Sequence, residues 1–314
     1  MGVKINYLIT GGAGFIGSHL IGRLLDESNQ IIVIDNLITG DSKNIDRYSE
    51  FSNFKFIKHD IQESIYLDEK IDYVVHLASC ASPKAYAKYP INTLKSGSIG
   101  TINALGISKH HNAKFFLAST SEIYGDPEIS PQVEEYWGNV NTLGPRSMYD
   151  ESKRFAESAT YSYIVTHNLI GNIARIFNTY GPNMQIDDGR VVTNFIYQAL
   201  RGQEITIYGN GLQTRSFSYI DDTLNGILKV IHNEESDVFN IGNDNEVTIK
   251  YLAEKIIELT NSNSKIVYHD LPVNDPKQRK PDLTKAKEIL NYQPKTSLED
   301  GLKFTIDWIS ANYK

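Results

Sequence analysis

Only one cysteine, Cys80, occurs among the 314 residues, so no disulfide forms within the chain and no cysteine-based metal site is available. The eight histidines include the pair His110-His111 but no HxxxH or HExxH spacing, which leaves no metal-binding pattern. No apolar run reaches the ~18 residues that read as a membrane span. The first apolar segment starts within a few residues of Met1, leaving no room for a secretory leader. These absences give the expectation of a cytoplasmic protein with no membrane partner. Net charge is −7 and no basic stripe is visible, which argues against a nucleic-acid partner. Anionic ligands would then have to be met by local cations, and Lys95, Arg190, Arg215 and Arg279 are candidates. Repeats, linkers and low-complexity tracts are also missing.

What is present is ordinary for a globular protein, with 40% hydrophobic and 22% charged residues. The length predicts one large domain with an elaborated second lobe, or two domains. Residues 4–10 read as an apolar strand, followed by Gly11-Gly-Ala-Gly14-Phe-Ile-Gly17, a helix through about Asp26, and a second strand, Ile31 to Ile34, ending in Asp35. Strands at 54–57, 73–77, 114–118 and 170–176 alternate with helices at 90–110 and 149–166. This rhythm predicts an α/β fold, a doubly wound parallel sheet, whose ligands lie beyond the carboxyl ends of the strands. Ser79, Thr120 to Glu122 and Asn178 fall at such ends. After Gly181-Pro182 the rhythm loosens, with helices near 190–201, 221–232, 248–260, 283–290 and 298–311. The expected division is a dinucleotide-binding domain over 1–180 and a smaller substrate lobe over 181–314. Strands at 204–208 and 238–241 are expected to return to the main sheet.

The three glycines have distinct work. Gly11 permits a tight turn, Gly14 lets backbone approach a pyrophosphate, and Gly17 allows close packing of helix on strand. The helix that follows offers free amides to phosphates. Asp35, 18 residues after Gly17, sits where an acid binds the adenine-side ribose hydroxyls and repels a 2′-phosphate. The expected cofactor is therefore NAD, not NADP.

Tyr149 and Lys153 lie four residues apart on one helical face. An ammonium beside a phenol lowers its pKa and makes it a usable general base. Tyrosine and lysine are common on helices, and the chain holds 19 tyrosines. What singles this pair out is its company: the glycine fingerprint upstream, and Thr120-Ser121-Glu122 ending a strand.

Taken in order, Gly11/Gly14/Gly17, Thr120, Tyr149 and Lys153 resemble an extended short-chain dehydrogenase/reductase acting on a nucleotide sugar. The stretches His76-LASCASPKAY, Pro90-INTLKSGSIGT, Leu117-ASTSEIYGDP, Arg175-IFNTYGP, Asp188-GRVVTNFI, Tyr208-GNGLQTRSF and Asp275-PKQRKPD narrow the resemblance to the UDP-glucuronate decarboxylases. Glu122 after Ser121, in place of an Asp-Glu pair or small residues, and Arg215 in the QTR turn separate it from related dehydratases and 4-epimerases. The resemblance implies NAD contacts from Gly11, Gly14, Phe15, Ile16, Gly17, Asp35, Asn36, Thr39, Gly40, Asp60, Ile61, Leu77, Ser79, Tyr149 and Lys153. It implies UDP-sugar contacts from Ser82, Tyr86, Lys95, Ser121, Asn178, Arg190, Gln213, Arg215 and Arg279. Thr120, Glu122, Tyr149, Lys153 and Arg215 would carry the chemistry, and a homodimer would be the assembly. The chain departs from the family pattern at Cys80 and Lys84, where proline is usual, and at Ser152, where glycine is usual. Two other readings stand beside this one: a UDP-glucuronate 4-epimerase or similar sugar-modifying relative, and a non-catalytic NAD-sensing module on the same fold.

Overall fold

The structure is a computed structural model describing residues 4–25, 28–270 and 278–313. The expected helix end at Asp26, and Asp275, Pro276 and Lys277 of the 275–282 stretch, lie outside the described residues.

Seven parallel strands form the sheet, in the spatial order Val238–Ile241, Gly171–Ile176, Lys114–Thr120, Tyr73–His76, Asn6–Thr10, Gln30–Asp35, Phe54–Lys58. Successive strand residues point to opposite faces. Tyr7, Ile9, Ile31, Val33, Phe116 and Ala118 enter one hydrophobic cluster. Their neighbours Leu8, Ile32, Ile34, Phe115 and Leu117 enter another. Helices cover both faces, which is why these strands are almost continuously apolar. The first cluster continues through Ile205, Ile207, Phe217, Leu252 and Ile306, so the later elements pack onto the sheet and share its core.

One expectation about the sheet is corrected. Ile205–Tyr208 does not return to it but pairs in parallel with Ile266–His269 in a separate two-stranded sheet. The edge at Gly171–Ile176 is already taken by Val238–Ile241. The other elements that sequence reading passed over are short. They include the helix Pro83–Lys88, the antiparallel pair Thr214–Ser216 and Glu246–Thr248, the parallel pair Thr179–Tyr180 and Ser218–Tyr219, and single turns of 3-10 helix at Ser42–Asn44, Asp46–Tyr48 and Ser121–Tyr124. Segments of two to six residues carry too few side chains to show a period. Among the described residues, no helix is long and apolar enough to cross a membrane.

The helix expected over 90–110 is divided. Pro90–Lys95 and Thr101–His111 are joined by a wider turn of π-helix over Ser96–Gly100. At that turn the segment meets Ser147–His167, the helix carrying Tyr149 and Lys153. A Cβ added at Gly97 would lie 2.6 Å from the Ser152 Cβ and 2.7 Å from its Oγ. Ser152 thus finds room because Gly97 faces it. Gly97→Ala should therefore destabilise the protein by about 1–3 kcal/mol through overpacking. Adding Ser152→Gly should restore part of that loss. Urea unfolding of both variants checks this; a Gly97→Ala protein as stable as wild type, or a loss that Ser152→Gly leaves untouched, would contradict it.

Candidate active site

The sheet order reverses between Asn6–Thr10 and Tyr73–His76, and a crevice opens at their carboxyl ends. Gly11 follows the first of these strands with φ +74°, and a Cβ there would come within 2.7 Å of the Ala78 backbone. Gly17 is as tightly placed, since its Cβ would lie 2.6 Å from the Gly11 carbonyl oxygen and the Gly12 Cα. The helix Phe15–Leu24 starts at Gly14 without a side-chain cap, leaving its first amides to a ligand. Asp35 is buried at the end of the second strand. Its Oδ2 accepts from the Ala13 amide at 3.0 Å and its Oδ1 from the Leu37 amide at 2.8 Å. Burial raises the Asp35 pKa, and those two amides oppose it without cancelling it. The Ser79 hydroxyl is buried at the crevice with no hydrogen-bond partner among the described residues. An uncapped helix start, an open glycine turn, an acid beside Gly40 and an unpaired hydroxyl are what a dinucleotide would satisfy, so these residues fit NAD.

The crevice opens into a cavity of about 800 Å³. Every residue expected to touch cofactor or sugar lines it except Asp60 and Lys95. Asp60 accepts instead from the Asn36 side chain at 2.9 Å and the Gln62 amide at 2.9 Å, and so holds Asn36 in place. Lys95 ends its short helix exposed to solvent, and its neighbour Ser96 lines the cavity in its stead.

Tyr149 and Lys153 are buried on the helix Ser147–His167, on the side that packs against Lys114–Thr120. The Lys153 ammonium donates to the Ala118 carbonyl at 2.7 Å. Burial pushes its pKa down to about 8, against the pull of Glu157. The Tyr149 ring stacks on Tyr86, with centroids 5.4 Å apart and planes 14° apart. Burial pushes the Tyr149 phenol above its ordinary range, and the strongest opposing influence is its hydrogen bond with Thr120. Lys153 was expected to lower this phenol; its ammonium is directed at the Ala118 carbonyl, and burial is the largest influence on Tyr149.

At the sugar end, Glu122 is the centre of charge. Its Oε2 pairs with Arg146 at 2.6 Å and Arg279 at 2.7 Å. Burial drives the Glu122 carboxyl upward, but Arg279, Arg146 and Arg215 outweigh it and hold it below the usual range. Glu122 is thus an anion at neutral pH, an acceptor and not a donor. Asp150, one residue beyond the base, behaves oppositely. Burial and the charge of Glu122 push it up to about 7, despite Arg146 and Arg279, and its Oδ1 has no partner. Arg190 is oriented by Asp188, through Nη1–Oδ2 at 2.8 Å and an amide bond at 3.0 Å. Arg215 is buried and donates to the Thr214 carbonyl at 2.8 Å. Arg146, Asp150 and Asp188 were missed from sequence. Arg146 sits three residues before Tyr149, and that spacing ahead of the base is the one signal that could have drawn attention to it.

The family described as GDP-mannose 4,6 dehydratase matches residues 8–305. UDP-glucuronic acid decarboxylase 5 of Arabidopsis thaliana is 49% identical over 95% of this chain and 87% of its own length. UDP-glucuronic acid decarboxylase 1 of Xenopus tropicalis is 47% identical over 96% of this chain and 71% of its own. A UDP-glucuronic acid 4-epimerase from Bacillus cereus, solved with UDP-glucuronic acid and NAD, superposes with a TM-score of 0.89 at 29% identity, covering 98% of this chain and 100% of that one. The chain belongs to the GDP-mannose 4,6 dehydratase family of extended short-chain dehydrogenases/reductases and, within it, to the UDP-glucuronic acid decarboxylases.

Proposed function

We propose that the protein decarboxylates UDP-glucuronate to UDP-xylose, using NAD that is reduced and then reoxidised in one cycle. The observation that carries the substrate is the 47–49% identity to named decarboxylases over nearly the whole chain. The cavity supplies the chemistry. Residues 1–180 carry the NAD side and residues 181–314 most of the sugar-nucleotide side, with Arg190, Arg215 and Arg279 as the local cations of an acidic protein.

NAD, held by the Gly11–Gly17 turn, Asp35 and Ser79, would supply a hydride acceptor and then a hydride donor at sugar C4, with no net oxidation. Tyr149, relayed through the Thr120 hydroxyl, removes the C4 hydroxyl proton. The resulting 4-ketone turns the C5 carboxylate into that of a β-keto acid. The C5–carboxylate bond breaks, CO₂ leaves, and the electron pair enters an enolate. Tyr149, now protonated, donates to the enolate oxygen. Glu122, held as an anion, accepts from a ring hydroxyl or from the water that protonates C5. Arg215 and Arg279 fix the ring so that the breaking bond stands perpendicular to the carbonyl plane.

The proposal includes a homodimer. Ile91, Leu94, Ile99 and Ile102 on one helical segment and Phe155, Tyr161 and Val165 on its neighbour are exposed on adjoining elements. Closed two-fold pairing is the commonest way to cover such a face. Light scattering at micromolar concentration should report twice the chain mass; a monomer would refute this part.

An NMR time course with UDP-glucuronate tests the activity itself. UDP-xylose and stoichiometric CO₂ are expected, with little UDP-galacturonate. UDP-galacturonate accumulating without CO₂ would make the protein a 4-epimerase, and NAD binding without turnover would make it a sensing module.

A further inference from the structure

Arg279 reaches the sugar end from a stretch that has neither helix nor strand. Its carbonyl accepts from the Ser216 hydroxyl at 3.4 Å, and the backbone just after it is held as well. Gln132 fixes it. This residue is wholly buried, and both its backbone and its side chain are engaged. Its amide donates to the Lys280 carbonyl at 2.8 Å, and its carbonyl accepts from the Asp282 amide at 2.8 Å. Its Oε1 accepts from the Lys280 amide at 2.9 Å, and its Nε2 donates to the Ile129 carbonyl at 2.6 Å.

The clamp is anchored to the main sheet. Asn240, in the strand Val238–Ile241, donates through Nδ2 to the Gln132 carbonyl at 3.0 Å and to the Asp282 carbonyl at 3.3 Å. The Asn240 Oδ1 accepts from the Tyr124 hydroxyl at 2.8 Å. That hydroxyl in turn accepts from Arg175, which forks onto Glu157. None of Gln132, Asn240, Tyr124 and Arg175 lines the cavity. A satisfied buried network of this kind specifies one arrangement, and a cut in it leaves unpaired groups.

We infer that Gln132 is a positioning residue for turnover: it sets the place of Lys280 to Asp282 and thereby holds the Arg279 guanidinium on Glu122. The inference rests on the assignment of Arg279 and Glu122 to the sugar end of the site. Gln132→Ala removes the side-chain half of the clamp and leaves both backbone bonds, so the fold has a route to survive. A displacement near 1 Å in a reacting site costs on the order of 100-fold.

Decarboxylation is measured for wild type, Gln132→Ala, Arg279→Lys and the double variant, with NAD⁺ affinity by calorimetry as the control for folding. Gln132→Ala should lower kcat at least ~10-fold with NAD⁺ affinity unchanged, and should add little to Arg279→Lys, because the two act through one contact. Wild-type kcat in Gln132→Ala would overturn the inference, as would a loss repeated in full in the Arg279→Lys background, the mark of a merely structural role. Gln132→Asn, which keeps the amide but cannot reach Lys280, replaces Gln132→Ala if that variant fails to bind NAD⁺. Wild-type protein inactive on UDP-glucuronate would refute the assigned reaction and not this inference. In that case the inference is read from the ¹³C titration of the Glu122 carboxyl, assigned by its loss in Glu122→Gln. Gln132→Ala must move that titration to higher pH, and an unmoved titration overturns the inference.

Discussion

A single carboxylate, the partly buried Glu122 among Arg146, Arg279 and Arg215, is the constraint on which the sugar end depends. The four residues come from four places: the end of a central strand, the turn before the catalytic helix, a short strand of the later lobe, and the irregular stretch near 280. Such a cluster adds little net stability, because desolvation offsets attraction, yet removing one partner typically costs about 3–5 kcal/mol. Its value lies in registration. It fixes those segments around one point and keeps Glu122 ionised where ordinary burial would neutralise it. It also supplies positive charge where an anionic substrate must enter a protein of net charge −7.

The base end works by the opposite balance. At Tyr149 burial outweighs the hydrogen bond with Thr120 and raises the phenol. Lys153 is pushed down to about 8 by burial and donates to the Ala118 carbonyl. Asp150, raised to about 7 by burial and by Glu122, extends the same contrast to a second carboxyl. One charged centre and one neutral base sit within a single cavity because one has arginine partners and the other is simply dry.

Much of this was legible in the chain because it is local. The glycine turn, Asp35 and the Tyr149–Lys153 pair are each written within a few residues. The sheet was legible because strands buried on both faces are continuously apolar. What escaped depends on distant partners. Arg146 looks like any turn arginine until Glu122 is seen beside it. Gln132 lies in a polar loop with no motif, and its meaning is its contact with Lys280, 148 positions on. Ile205–Tyr208 reads as a strand, but nothing local says that its partner is Ile266–His269 and not the main sheet. Asp60 and Lys95 show the converse. Family position names them beside the ligands; neither is among the residues lining the cavity, Asp60 accepting from Asn36 and Gln62 and Lys95 being exposed.

The central claim is that Tyr149 starts the reaction by making oxidation at C4 possible, and that CO₂ is lost only afterwards. The most direct measurement is rapid mixing of the NAD⁺ complex with UDP-glucuronate. Reduced nicotinamide absorbance and CO₂ release are followed together in wild type and in Tyr149→Phe. The account predicts a transient rise and fall of absorbance with CO₂ release in wild type. In Tyr149→Phe both should be slowed by ~10²-fold or more, with NAD⁺ still bound. CO₂ released by Tyr149→Phe at the wild-type rate would contradict it.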